Sequence, residues 1–171
     1  IPKTYLQGEG GDFRAMPAAL NKYAAIKWIG VFPDNWQIPM PTTNGSLILS
    51  DRETGGSLIG MDCRTLTGYR TAATSAIAAK YCAPNNIREI AFVGCGLQAY
   101  YHFLAYRNVF PKIELVSLFD KNEEAVTNLC EKLPKNINII KYPANIKEAI
   151  RNADIITTLT PSTTPYLDIH D

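Results

Sequence analysis

Residues 88–110, REIAFVGCGLQAYYHFLAYRNVF, narrow the possible folds more than any other stretch. An apolar run ends in Gly94-Cys95-Gly96, and a helical pattern follows at once. Gly94 permits a tight turn, Gly96 lets backbone approach a pyrophosphate, and the helix start offers free N–H groups and a positive dipole end. A dinucleotide loop has a third glycine three positions after the second. Here Ala99 stands there, an accepted substitute because the position serves helix–strand packing. A strand–turn–helix without a ligand shares this local pattern, so the surroundings must decide.

The surroundings alternate. A strand at 88–94 and a helix at 97–110 are followed by a strand at 113–120 and a helix at 122–133. Asn122 is placed to cap the latter, with glutamates in its first turn. A strand at 137–142, a helix at 145–152 and a strand at 153–160 complete the series. Short loops between alternating strands and helices predict a parallel sheet. The yield is about four strands, against about six in a complete dinucleotide fold. The strand at 153–160 is expected to need a further parallel neighbour, since an apolar edge is otherwise exposed. The chain starts at Ile1 and stops at "YLDIHD", so it reads as an internal piece of a longer chain whose Rossmann domain lacks its C-terminal part.

The first half reads as β-rich. "AIKWIGVF" (25–32) is a strand with β-branched and aromatic residues, followed by turn chemistry at Pro33, Asp34 and Asn35. Strands at 46–51 and 57–62 flank "RETGG" as a hairpin. An alanine-rich helix at 65–83 has Leu66, Tyr69, Ala73, Ile77 and Tyr81 on one face and ends at Pro84. The predicted fold is α/β. A β-rich substrate-binding and dimerisation domain (1–84) includes the connecting helix 65–83, and an incomplete, doubly wound Rossmann domain (85–171) follows.

Composition removes several function classes. The chain has 171 residues, is 46% hydrophobic, and carries 17 basic and 16 acidic residues for a net charge of +1. That supplies no basic field for nucleic acid and no polybasic membrane patch. No segment approaches the roughly 18 apolar residues of a membrane span. Cys63, Cys82, Cys95 and Cys130 are widely and irregularly spaced, which suits a reduced, cytoplasmic protein. With only His102 and His170 present, no metal site is expected.

Asp120 ends the strand after the loop, roughly 20–25 residues on, where an acid holds the adenosine ribose hydroxyls. An acid there disfavours a 2′-phosphate, so NAD is expected over NADP. Lys27 lies within a strand, sharing a face with Ile29 and Val31, while Ile26, Trp28 and Gly30 take the other. Partial burial would lower its pKa toward the range of general acid–base work. Snorkelling from a strand end is the equal alternative. Arg70, followed by Thr71, can fork onto a carboxylate or pyrophosphate, or lie on a solvated helix face. Lys3 and Arg14 lie in a glycine-containing segment whose pattern says little by itself.

Taken together, "KTYL…GGDFRAMPA", "IKWIGVFPDN", "LILSDRETG", "LTGYRTAATSAIAAKY", "VGCGLQAY" and "ADIITTLTPS" resemble the ornithine cyclodeaminase/mu-crystallin family, in family order along nearly the whole chain. The branch it looks most like contains archaeal-type alanine dehydrogenases and many ornithine cyclodeaminases. The resemblance implies an NAD-dependent enzyme on a small L-amino or imino acid, working as a homodimer. It assigns Lys27 as proton donor and acceptor, and Lys3, Arg14 and Arg70 as partners of the substrate carboxylate. Cofactor contacts fall to Thr42, Arg70, Thr71, Gly94, Gly96, Leu97, Gln98, Asp120 and Thr160. Lys3 stands where cyclodeaminases resemble each other in having arginine, which argues against ornithine specificity. A family acid and further cofactor contacts are expected beyond residue 171. The implied activities are an ornithine cyclodeaminase, an alanine dehydrogenase, an imine reductase, or a mu-crystallin-like binding protein without catalysis.

Overall fold

The computed structural model describes residues 3–141, 145–162 and 164–168. Tyr142 and His170, both part of the sequence reading, lie outside them. The chain forms two compact units, Ile1–Thr67 and Gly68–Asp171. The division falls in the first turn of a helix, ahead of the boundary near residue 84 expected from sequence.

The first unit is one antiparallel sheet in chain order: β1 (Thr4–Gly8), β2 (Gly11–Leu20), β3 (Tyr23–Val31), β4 (Thr43–Asp51) and β5 (Ser57–Asp62). The sequence reading missed β1 and β2. Gly8, Gly10 and Gly11 cluster at their turn and Pro17 lies within β2, all of which weaken a strand signal. The pairing nevertheless runs unbroken, with Thr4 opposite Ala15 and Gly8 opposite Gly11. At the β2–β3 turn Asn21 takes a left-handed φ of 52°, which asparagine tolerates better than most residues.

Side chains alternate between faces, and directly opposed residues share one. Arg14 opposes Tyr5 and Ile29, and Lys27 opposes Met16 and Leu47. One face therefore carries Tyr5, Arg14, Met16, Lys27, Ile29 and Leu47. The other carries Leu6, Phe13, Ile26, Trp28 and Ile48, with Phe13 and Trp28 stacked at 5.5 Å.

α1 (Arg64–Cys82) starts in the first unit and belongs to the second from Gly68 on. The expected large-residue face is open: Leu66, Tyr69, Ile77 and Tyr81 are all exposed. Gly68, Ala72 and Ala76 are the buried positions. Small residues let this helix approach its neighbours closely; a Cβ at Gly68 would lie 2.3 Å from the Tyr101 ring.

The second unit is a parallel sheet of β6 (Glu89–Val93), β7 (Leu115–Phe119), β8 (Asn138–Lys141) and β9 (Ile155–Thr158), in the order β8-β7-β6-β9. α2 (Leu97–Val109), α3 (Glu123–Lys132) and α4 (Ile146–Ile150) connect the strands. Ile90, Phe92, Val116 and Leu118 pack in a core with residues of α1, α2 and α3, while Ala91 and Val93 pack with Ile150 of α4. Helices thus cover both faces, as double winding requires. Asn122 caps α3 by accepting the Glu124 N–H at 2.9 Å, as expected.

Candidate active site

The chain leaves β6 at the point where strand order reverses, because β7 lies on one side of β6 and β9 on the other. Ligands of open α/β sheets bind in such crevices. Gly94 has φ +101°, and a Cβ there would sit 2.9 Å from the Leu159 carbonyl. Its N–H donates to the Phe119 carbonyl at 2.8 Å. The loop is therefore pressed between the ends of β7 and β9.

Gly96 is the N-cap of α2 and supplies no side-chain cap. By contrast, Asn122 and Asn145 cap α3 and α4. A Cβ at Gly96 would meet nothing within 4 Å. The first N–H groups of a helix have no intrahelical partners, so this bare end suits an anion. The side-chain oxygen of Gln98, in the first turn, is buried without a hydrogen-bond partner among the described residues. Thr160 lies two residues past the end of β9; its backbone N is 3.1 Å from the position of a Gly94 Cβ, and its hydroxyl donates to Tyr166 at 3.0 Å.

Asp120 follows β7. One carboxylate oxygen accepts the Cys95 N–H at 2.7 Å and the other the Asn122 N–H at 2.9 Å. Two of about four acceptor positions on a carboxylate are thereby used. Cys95 is buried, and burial followed by the Asp120 charge pushes its thiol up to about 12. It remains a neutral thiol near pH 7, which removes it as a nucleophile. The uncapped helix, the close-packed Gly94 and the Asp120 carboxylate together fit a dinucleotide.

In the first unit, Arg14 and Lys27 share a face on adjacent strands, one diagonal step apart. Lys3 directly precedes β1 and is exposed. Arg14 is forked onto Asp12 through Nε at 2.6 Å and Nη2 at 3.0 Å, and its guanidinium lies 5.5 Å from the centre of the Tyr5 ring. The Asp12 carboxyl is held below its ordinary 3.8, first by that hydrogen bond, and the Arg14 pKa rises in turn. Lys27 is half-buried and donates from Nζ to the Thr67 hydroxyl at 3.4 Å. Thr42 lies in the β3–β4 connection, where its carbonyl accepts the Phe32 N–H.

Arg70 and Thr71 belong to the second unit, on α1; Arg70 is exposed and Thr71 partly buried. Sequence reasoning missed Asp12, Thr67 and the engagement of the Cys95 N–H. Asp12 was within reach, since two residues along a strand it must share the face of Arg14. Nothing local signals Thr67, 40 residues from Lys27. Among the described residues no group of three or more His, Cys, Asp or Glu is placed to hold a metal, and no helix is long and apolar enough to cross a membrane.

These two units are those of an α/β dinucleotide-binding protein with an appended antiparallel sheet. The chain belongs to the ornithine cyclodeaminase/mu-crystallin family, whose model matches residues 1–169. It is 42% identical over 169 residues to the alanine dehydrogenase of Archaeoglobus fulgidus, covering 97% of this chain and 51% of that protein. To the ornithine cyclodeaminase of Agrobacterium fabrum it is 31% identical over 160 residues, covering 94% and 45%. Among solved structures, an archaeal alanine dehydrogenase dimer with bound NAD superposes with a TM-score of 0.87 at 40% identity, covering 99% of this chain and 52% of that one. The chain thus spans about half the length of the relatives it matches.

Proposed function

We propose that this protein takes part in NAD-dependent oxidation or reduction at the α-carbon of a small L-amino or imino acid. The observation that carries this reading is the bare N-terminus of α2, beside a carboxylate at the end of β7 and at the sheet's switch point. When bound, NAD accepts or returns the α-hydrogen as hydride. Gly96, Leu97 and Gln98 hold the pyrophosphate on free N–H groups, and Asp120 accepts from the ribose hydroxyls. Thr160 lies beside the cofactor, and Thr42 and Thr71 contribute from their own elements.

The cations of the first sheet face bind the substrate. Arg14 and Lys3 take the carboxylate, and Arg70, on the second unit, is proposed to serve the cofactor. Lys27 carries the proton: the residue is half-buried, opposite Met16 and Leu47 on the neighbouring strands, and the Thr67 hydroxyl orients its amino group. Oxidation of an amino acid gives an imino acid, NADH and a proton; water then releases ammonia and a keto acid. With ornithine, the δ-amine attacks the imine, ammonia leaves, and the hydride returns to give proline. The higher identity to the alanine dehydrogenase, with Lys3 in place of arginine, supports the dehydrogenase over the cyclodeaminase.

A second copy of this chain is the proposed occupant of the other sheet face. There Leu6, Ile26, Trp28 and Ile48 are 38% to 59% exposed, too large an apolar set to leave in water. The dimer in the archaeal structure supports this. The four cysteines are free thiols, which supports a reducing, cytoplasmic setting.

The test offers the protein NAD⁺ with L-alanine or L-ornithine and follows absorbance at 340 nm together with ammonia. Ammonia matched by NADH from alanine supports the dehydrogenase. Ammonia from ornithine without net NADH supports the cyclodeaminase. NADH binding without turnover on either, or on the corresponding imino acids, supports a mu-crystallin-like binding role.

A further inference from the structure

The carboxylate that suits the ribose is also built into the loop that suits the pyrophosphate. Asp120 accepts the N–H of Cys95, 25 residues earlier and between the two glycines, at 2.7 Å. That length marks a charge-assisted bond. Its other oxygen accepts the Asn122 N–H, and Asn122 in turn accepts the Glu124 N–H at the start of α3. The Cys95 side chain is 4% exposed, so little water reaches this amide's surroundings to replace the carboxylate.

Resting on the dinucleotide reading above, we infer that Asp120 is a positioning residue for the pyrophosphate loop as well as the acid at the ribose. Its carboxylate ties the glycine loop to the start of α3 and sets the direction in which the Gly96, Leu97 and Gln98 N–H groups point. Replacing a ribose acid by a neutral residue ordinarily admits a 2′-phosphate and shifts preference from NAD toward NADP. Here the same change removes the loop's strut, so it weakens both cofactors and exchanges nothing.

Two variants and two readouts test this. Without nucleotide, Asp120→Ala is expected to speed amide exchange in 93–98 at least tenfold, with β6 and β7 still protected. NADH and NADPH binding, read by nicotinamide fluorescence, both fall at least tenfold. Asp120→Asn keeps one acceptor oxygen for the two N–H groups and is expected to fall between the parent and Asp120→Ala in exchange, with β6 and β7 as protected as in the parent, which guards against a variant that merely fails to fold. Parent-like exchange of 93–98 in Asp120→Ala overturns the strut, as does a gain in NADPH affinity while NADH is lost. If the parent binds neither nucleotide, the dinucleotide reading fails, and the exchange result alone still judges the strut.

Discussion

Arg14 and Asp12, two residues apart on one strand, form a two-pronged ion pair at 2.6 and 3.0 Å on the face that carries Lys27. The pair aims the guanidinium and leaves Nη1 clear of Asp12 for a further carboxylate. Arg14→Gln is therefore expected to raise the KM for the amino acid about 10- to 100-fold with kcat little changed, as loss of a charge-assisted bond implies. Asp12→Asn moves KM the same way by less. A fall in kcat at constant KM would take Arg14 out of substrate binding. Because Asp12 titrates below 3.8, its share of stability is present above that value and is lost only as pH falls further.

Lys27→Ala should lower turnover about 10²–10⁴-fold while NADH binding stays near the parent value. Thr67→Val removes the hydroxyl that accepts from Nζ and should cost less, with a shifted pH–rate profile. Steady-state kinetics and NADH titration check both. Equal loss of turnover and NADH binding in Lys27→Ala removes the acid–base role.

The two loop glycines should separate. Gly94→Ala forces a side chain into φ +101° and against the Leu159 carbonyl, costing about 1–3 kcal/mol of stability. Gly96→Ala meets open space at φ −73°, so its melting temperature should match the parent's while NADH binding drops. Thermal melts beside NADH titrations decide the matter. Unchanged NADH binding in Gly96→Ala would mean that no pyrophosphate approaches there.

His102 should make the second unit sensitive to mild acid. It is buried on α2, with Nδ1 2.8 Å from the Gln98 carbonyl and Nε2 3.0 Å from the Ser75 hydroxyl of α1. Burial lowers its pKa below 6.5, against a smaller upward push from the Gln98 carbonyl. The unfolded chain then binds the proton more readily, so stability is full above about pH 6.5 and declines as pH falls toward the lowered value. Denaturant melts from pH 7.5 to 5 should show this decline, and His102→Gln should flatten it. A parent profile as flat as the variant's removes His102 as the cause.

Charge on the open sheet face should break the proposed dimer. Ile26→Glu, at a position 38% exposed, is expected to give a monomer by light scattering, with a melting temperature that no longer rises with protein concentration. A parent that is itself monomeric at micromolar concentration rejects this interface.

Gly68→Ala reverses an ordinary rule. In a helix interior this change usually stabilises by about 1 kcal/mol. Here the added Cβ falls 2.3 Å from the Tyr101 ring, so the variant should melt lower. A higher melting temperature would show that Tyr101 moves aside at little cost.

Strand–helix alternation, the glycine turn, the Asn122 cap and the acid at Asp120 were legible in the sequence, because each is written in neighbouring residues or in a period of two or 3.6. The faces of β3 were legible for the same reason. β1 and β2 were not, since glycines and Pro17 obscure their alternation and only pairing with β3 declares them. Which face of α1 packs was not legible: periodicity gathers its large residues on one side, but steric room selects Gly68, Ala72 and Ala76 for burial. The contacts Lys27–Thr67, Asp120–Cys95 and His102–Ser75 join positions 40, 25 and 27 residues apart. Local pattern determined which residues could serve. Only folding, which sets distances between residues remote in sequence, decided which groups each one meets.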